Sequence, residues 1–176
     1  MVKRRRVVLR AVDSLGFWHM LDTGGDKMGR SAAHWKWDDG GRVTPGYKGG
    51  AGDCVVRSIA IATGKPYRQV YDGINALRDS MRQTLRVRKS SARAGVSRVV
   101  YERYLEALGW RFVPTMRIGS GCTVHLRAGE LPGGRLVVRV SKHMTAVIDG
   151  MIHDTHDCSR GGTRCVYGYF FYETCA

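Results

Sequence analysis

No apolar run in the sequence approaches the ~20 residues that a membrane-spanning helix needs, which excludes a helical span from the reading. The opening "MVKRRRVVLRAV" carries the charges of a signal peptide, but Arg10 breaks its apolar stretch after three residues. No export signal is therefore expected. No internal repeat occurs, so no wall-binding array is expected either. Acids are scarce: 15 Asp and Glu stand against 29 Lys and Arg, for a net charge of +14. A field of that sign favours acidic partners, either nucleic acid or an acidic protein. The five cysteines, Cys54, Cys122, Cys158, Cys165 and Cys175, are odd in number and irregularly spaced, without a CxxC pair. That spacing does not look like a disulfide framework, so a reducing cytoplasm is the expected setting.

What is present fits a folded α+β chain. At 176 residues it is long enough to bury roughly 70% of its unfolded surface without staples. Residues 1–49 read as an N-terminal extension, partly loop, and 50–176 as the main domain. Within the extension, "RRRVVLRAV" is a candidate strand. Trp35 and Trp37 stand among charges and glycines, as anchors on the core in the preferred reading or as ligand contacts in the other.

From Asp53 the pattern clears. Asp53 suits an N-cap, and Val55, Val56, Ile59 and Ala60 give an apolar face at helical spacing. Pro66 suits the start of a second helix, where Tyr67, Val70, Tyr71, Ile74 and Leu77 recur at i, i+3, i+4 and i+7. A third helix is expected from Ser97 to Gly109, with Tyr101, Tyr104, Leu105 and Leu108 on one side. Between them lies a basic span containing Arg82, Arg86, Arg88, Lys89 and Arg93, whose middle, "RVRKSSARAG", reads as an exposed loop. Further on, "WRFVPT" reads as a strand and "TVHLRAGEL" as a short helix capped by Thr123. Then "RLVVRV", "HMTAVI", "MIHDT" and "CVYGYFFYE" are strand candidates in an antiparallel meander, with Asp149-Gly150 a hairpin signal.

Two of these elements carry chemistry. Cys54 opens a helix, where backbone N–H groups and the helix dipole favour a thiolate over a thiol. The bland alternative is a small apolar core residue. His143 opens a strand, a rigid place from which an imidazole can meet that helix end. A two-residue turn at Asp149-Gly150 sets Thr145 opposite Asp154, so His143, Thr145 and Asp154 share one face. Asp154 is then the first choice to orient the imidazole. A three-residue turn would present His153 instead, and Asp157 ranks third.

The stretches "GDCVVRSIAIATG" and "KHMTAVIDGMIHDT" resemble the papain-like cysteine peptidase superfamily in its small bacterial and phage forms. The likeness covers residues 50–172 in order. It implies a papain-like α+β fold, with Cys54 as nucleophile, His143 as base and acid, and Asp154 or His153 as orienter. It also implies a protein or peptide substrate, no cofactor, and a host cytoplasm if the source is a phage. One departure concerns the glutamine that such enzymes often carry before the cysteine. Residues 1–53 hold neither Gln nor Asn. One oxyanion donor is therefore sought at the backbone N–H of Cys54, and the second at Tyr47, Lys48 or a backbone group.

Two rival readings come from other classes. His153, His156, Cys158 and Cys165 fall within thirteen residues and are all zinc-ligand types, in a spacing that matches no common finger. The basic span could instead track a phosphate backbone, making the chain a non-catalytic binder of nucleic acid or an acidic protein.

Overall fold

The computed structural model describes residues 34–116, 119 and 121–172. The candidate strand near the N-terminus and Cys175 lie outside the described residues. Among the described residues, four helices and six strands follow one another. They are β1 (Trp35–Trp37), α1 (Cys54–Thr63), α2 (Tyr67–Ser80), α3 (Leu85–Arg88), α4 (Arg98–Ala107), β2 (Trp110–Pro114), β3 (Arg135–Val140), β4 (His143–Ile148), β5 (Met151–Asp154) and β6 (Val166–Tyr172). The class is mixed α+β. Among the described residues no helix is long and apolar enough to cross a membrane.

The strands form one sheet in the order β1-β5-β4-β3-β6-β2. Only its centre is the expected meander: β3, β4 and β5 run antiparallel in sequence. β6 then crosses back to pair with β3 rather than β5, and carries β2 on its far side. At the other edge β1 pairs parallel with β5, Trp35 opposite Ile152. Trp35–Trp37, on the N-terminal side of residue 50, therefore belong to the same sheet as the later strands. Trp35 and Trp37 do not anchor that strand in the core, being 42% and 59% exposed. The edge is held by ladder bonds and by the Trp35 indole N–H, which donates to the Asp154 carbonyl at 3.3 Å.

Alternation along the strands gives the sheet two apolar faces. Val137, Met144, Ala146 and Phe170 join the helices, with Val56, Ile59, Val70, Ile74 and Leu105 fully buried there. Leu136, Val138, Val140, Val147 and Ile152 form a second core with Leu126, Cys158 and Val166. β6 is bulged: Arg139 faces Gly168 while Val140 faces Val166, leaving Tyr167 unpaired. Gly168 has φ 151°, and a Cβ there would lie 2.4 Å from the Phe112 ring. Only glycine lets β2 and β6 approach this closely.

Three local expectations change. The middle of the basic span is not wholly a loop. It contains α3, capped by Thr84, and a turn closed by Ser91 and Gly95, and it buries Val87, Ser90 and Ala92. "TVHLRAGEL" forms no helix, because Thr123 spends its hydroxyl on the Thr115 carbonyl and Glu130 folds back onto His125 and Arg127. Cys122 and Cys165 form a disulfide with Cα atoms 5.8 Å apart. Linear spacing did not reveal it, since the two partners stand at a sequence separation of 43. It also removes the support that cysteine spacing lent to a reducing compartment.

Candidate active site

Two tight turns and one helix start build the site. Ser141 and Lys142 join β3 to β4, so His143 begins β4 opposite Val140. Asp149 and Gly150 join β4 to β5 with φ values of 49° and 81°, the double left-handed turn that suits a hairpin. The resulting register sets Ile148 opposite Met151, Val147 opposite Ile152 and Ala146 opposite His153. Asp154 thereby falls on the face of Thr145 and His143. Its Oδ2 lies 2.7 Å from Nε2 of His143. Its Oδ1 accepts the Thr155 N–H at 2.7 Å.

The helix side supplies the sulfur. Cys54 is the first residue of α1, and the His143 ring and the Met144 N–H stand close enough to its thiol to lower its pKa. With Nε2 given to Asp154, Nδ1 is the nitrogen left for sulfur. At the first residue of β4 the imidazole is reached from both sides of the sheet. Cys54 comes from the helical side, while Asp154 and the buried thiol of Cys158 come from the other.

The electrostatics follow from these contacts. Burial opposes charge on His143, but hydrogen bonds to Asp154, Cys158 and Cys54, with the Asp154 charge, push its pKa up to about 11. Burial also opposes a Cys54 thiolate. It is outweighed by the bonds from His143 and the Met144 N–H and by the charges of His143 and Arg57, which hold the thiol below its ordinary value. Asp154 is likewise held low against burial by His143. An imidazolium, a carboxylate and a thiolate-prone sulfur thus stand in line.

Behind the sulfur lies a polar network. Asp53, 1% exposed, does not cap the helix with its side chain. Its Oδ2 instead takes the Tyr67 hydroxyl at 2.6 Å and the Arg42 guanidinium at 2.9 Å, and its Oδ1 lies 3.5 Å from Arg57. Burial beside that carboxylate raises the Tyr67 pKa. Arg57 also donates to the Thr155 hydroxyl at 3.1 Å, tying the start of α1 to the end of β5. Sequence reasoning missed this tie. The i, i+4 spacing of Asp53 and Arg57 was its only visible signal.

The other expected site residues go elsewhere. His153 lies on the helical face and pairs with Asp38 at 3.1 Å. Asp157 accepts the Ser159 N–H at 2.8 Å. Tyr47 stacks on Tyr67 and Tyr71, and Lys48 is exposed with its carbonyl 3.4 Å from Arg42. Neither lines the cleft at Cys54. Arg82, Arg86, Arg88, Lys89 and Arg93 are exposed and also lie outside that cleft. The rival zinc set is not assembled, since Cys165 is in the disulfide and His153 lies on the helical face while Cys158 is in the second core. A different group converges, His143, Asp154 and His156, with ligand atoms all within 4.8 Å of one another. His156 is exposed, its ring 5.1 Å from that of His143.

No family model matches the chain, and neither a curated protein nor a solved structure does.

Proposed function

We propose that this chain is a papain-like thiol hydrolase that attacks an amide, isopeptide or ester carbonyl of a protein target through Cys54. One observation carries the reading: the His143 imidazole is bonded to buried Asp154 and lines one cleft with the sulfur at the start of α1, whose pKa it lowers. A merely structural cysteine needs neither partner.

In this reading Cys54 Sγ adds to the carbonyl carbon, and the π electrons move to oxygen. The Cys54 backbone N–H, one of the donors left unpaired at a helix start, is offered to that oxygen. The tetrahedral species collapses, the C–N or C–O bond breaks, and His143 gives its proton to the leaving amine or alcohol. A thioester remains. Water then attacks it, losing its proton to His143, and the C–S bond breaks to restore the thiolate. Asp154 holds the ring so that Nδ1 faces sulfur throughout.

The test is to incubate wild type and Cys54→Ala with a protein lysate and read target masses. Mass changes that need both Cys54 and His143 are expected. The same changes from Cys54→Ala would overturn the reading. Binding to nucleic acid or acidic protein that survives Cys54 alkylation, with no mass change, belongs to the basic-binder alternative.

A further inference from the structure

The cleft beside Cys54 has a volume of about 790 Å³. Its lining includes Arg57, Arg98, Arg139 and Lys142, and no Asp or Glu. Arg98 belongs to the basic stretch that runs from Arg78 to Arg103, the other three do not, and the four come from separate elements. We infer that Arg98, Arg139 and Lys142 form an anion subsite that seats a carboxylate of the protein target next to the carbonyl under attack. The inference rests on the proposed thiol chemistry and adds a substrate class to it.

The argument is one of unbalanced donors. Arg57 is already committed to Asp53 and Thr155. Arg98 and Arg139 share one carboxylate, that of Glu102, at 2.6 Å and 3.6 Å. Two guanidiniums bring ten N–H donors to a group with about four acceptor sites, so donors are left over. Arg139 is the more telling of the two. Its side chain is only 18% exposed and lies over the Phe112 ring at 4.8 Å, and its Nε is buried without a hydrogen-bond partner. Lys142 projects from the β3–β4 turn at φ 54° and has no carboxylate partner among the described residues. It directly precedes His143, so its charge is carried on the same turn as the base. The other acids near the site, Asp53 and Asp154, are buried on their own partners. A cleft with low-dielectric walls concentrates the field of the remaining cations at the sulfur.

The test uses two methanethiosulfonate reagents of equal length, one ending in a sulfonate and one in a trimethylammonium. Their rates of modifying Cys54 are compared with their rates on a small free thiol. The subsite predicts an anion-over-cation preference at Cys54 at least about tenfold above that of the free thiol, shrinking in high salt. Lys142→Gln and Arg98→Gln should each reduce it about threefold. Arg139→Lys, which keeps the charge, should retain most of it. The His143 imidazolium is common to all these proteins and does not account for a difference among them. A preference equal to that of the free thiol, or one unmoved by the neutral variants, overturns the subsite. Fast modification of Cys54 by both reagents in that case leaves the thiolate reading standing. Slow modification by both counts against the thiolate, while the ratio still judges the subsite.

Discussion

Two histidine–aspartate pairs meet in one hairpin, on opposite faces of the sheet. His143 pairs with Asp154 at 2.7 Å, and His153 pairs with Asp38 at 3.1 Å. His153 and Asp154 are neighbours in β5, so the pleat alone sends them apart. The surroundings then differ. Asp154 is 5% exposed, while Asp38 is 31% exposed and sits where β1 gives way to a turn. Only the first pair lies at the end of a strand where a helix starts with a sulfur. The comparison shows that a histidine beside a carboxylate is not a site by itself. Register and the position along the strand decide what the pair can do.

The largest expected effects would break the asymmetry outright. Cys54→Ala and His143→Ala should each lower turnover of a target by about 10⁴-fold or more, whereas His153→Ala should change it less than about threefold. Single-turnover mass spectrometry on purified target checks both. An equal loss in His153→Ala would erase the distinction between the two pairs.

Next in size is the orienting carboxylate. Asp154→Asn should reduce kcat by about 10²–10⁴-fold with the fold retained, because the imidazole loses its charged partner. Asp38→Asn should leave kcat alone and cost about 1 kcal/mol or less in denaturant titration, since that pair is partly exposed.

A pH experiment sharpens the comparison further. The His143 pKa is raised above its unfolded value to about 11, so its contribution to stability is complete below pH ~6.5 and is lost as pH rises toward about 11. Asp154 is held low, so its contribution is present above pH ~3.9 and is lost as pH falls through its folded value. Thermal melts should therefore peak between those limits and decline on the alkaline side, and Asp154→Asn should flatten that alkaline decline. NMR of the imidazole carbons should show His143 still protonated at pH 8.

The smallest effect concerns the turn that separates the pairs. Gly150→Ala places a Cβ at φ 81° and should cost about 1 kcal/mol in thermal denaturation, with kcat unchanged if the register holds. A loss of kcat beyond the loss of folded protein would show that the variant turn shifts β5.

Much of the hairpin was legible because strand parity and a two-residue turn are local rules. Once Asp149-Gly150 is the turn, the positions of Thr145, His153 and Asp154 follow without any knowledge of the rest of the chain. Helix phases were legible for the same reason, from Val55 to Ala60 and from Tyr67 to Leu77. The failures are non-local. Thr123 was expected to cap a helix, but a carbonyl from β2's end takes its hydroxyl. Asp53 was expected to cap α1, but Arg42 and Tyr67 claim its carboxylate. β6 was expected to follow β5, but it pairs with β3. Arg98 was visible as part of the conspicuous basic stretch, but its meeting with Arg139 and Lys142 was missed because the three are not neighbours in sequence.

By itself the sequence determined the α+β class, the residues that open α1 and β4, and the face shared by His143 and Asp154. Each depends on backbone periodicity or turn chemistry within a few residues. Tertiary structure alone decided that Cys54 and His143 line one cleft, that Cys122 joins Cys165, and that three cations distant in sequence line that same cleft. Those facts depend on how α1 lies over the sheet and how the long connections return. Such packing minimises exposed apolar surface across the whole chain, and no local stretch encodes it.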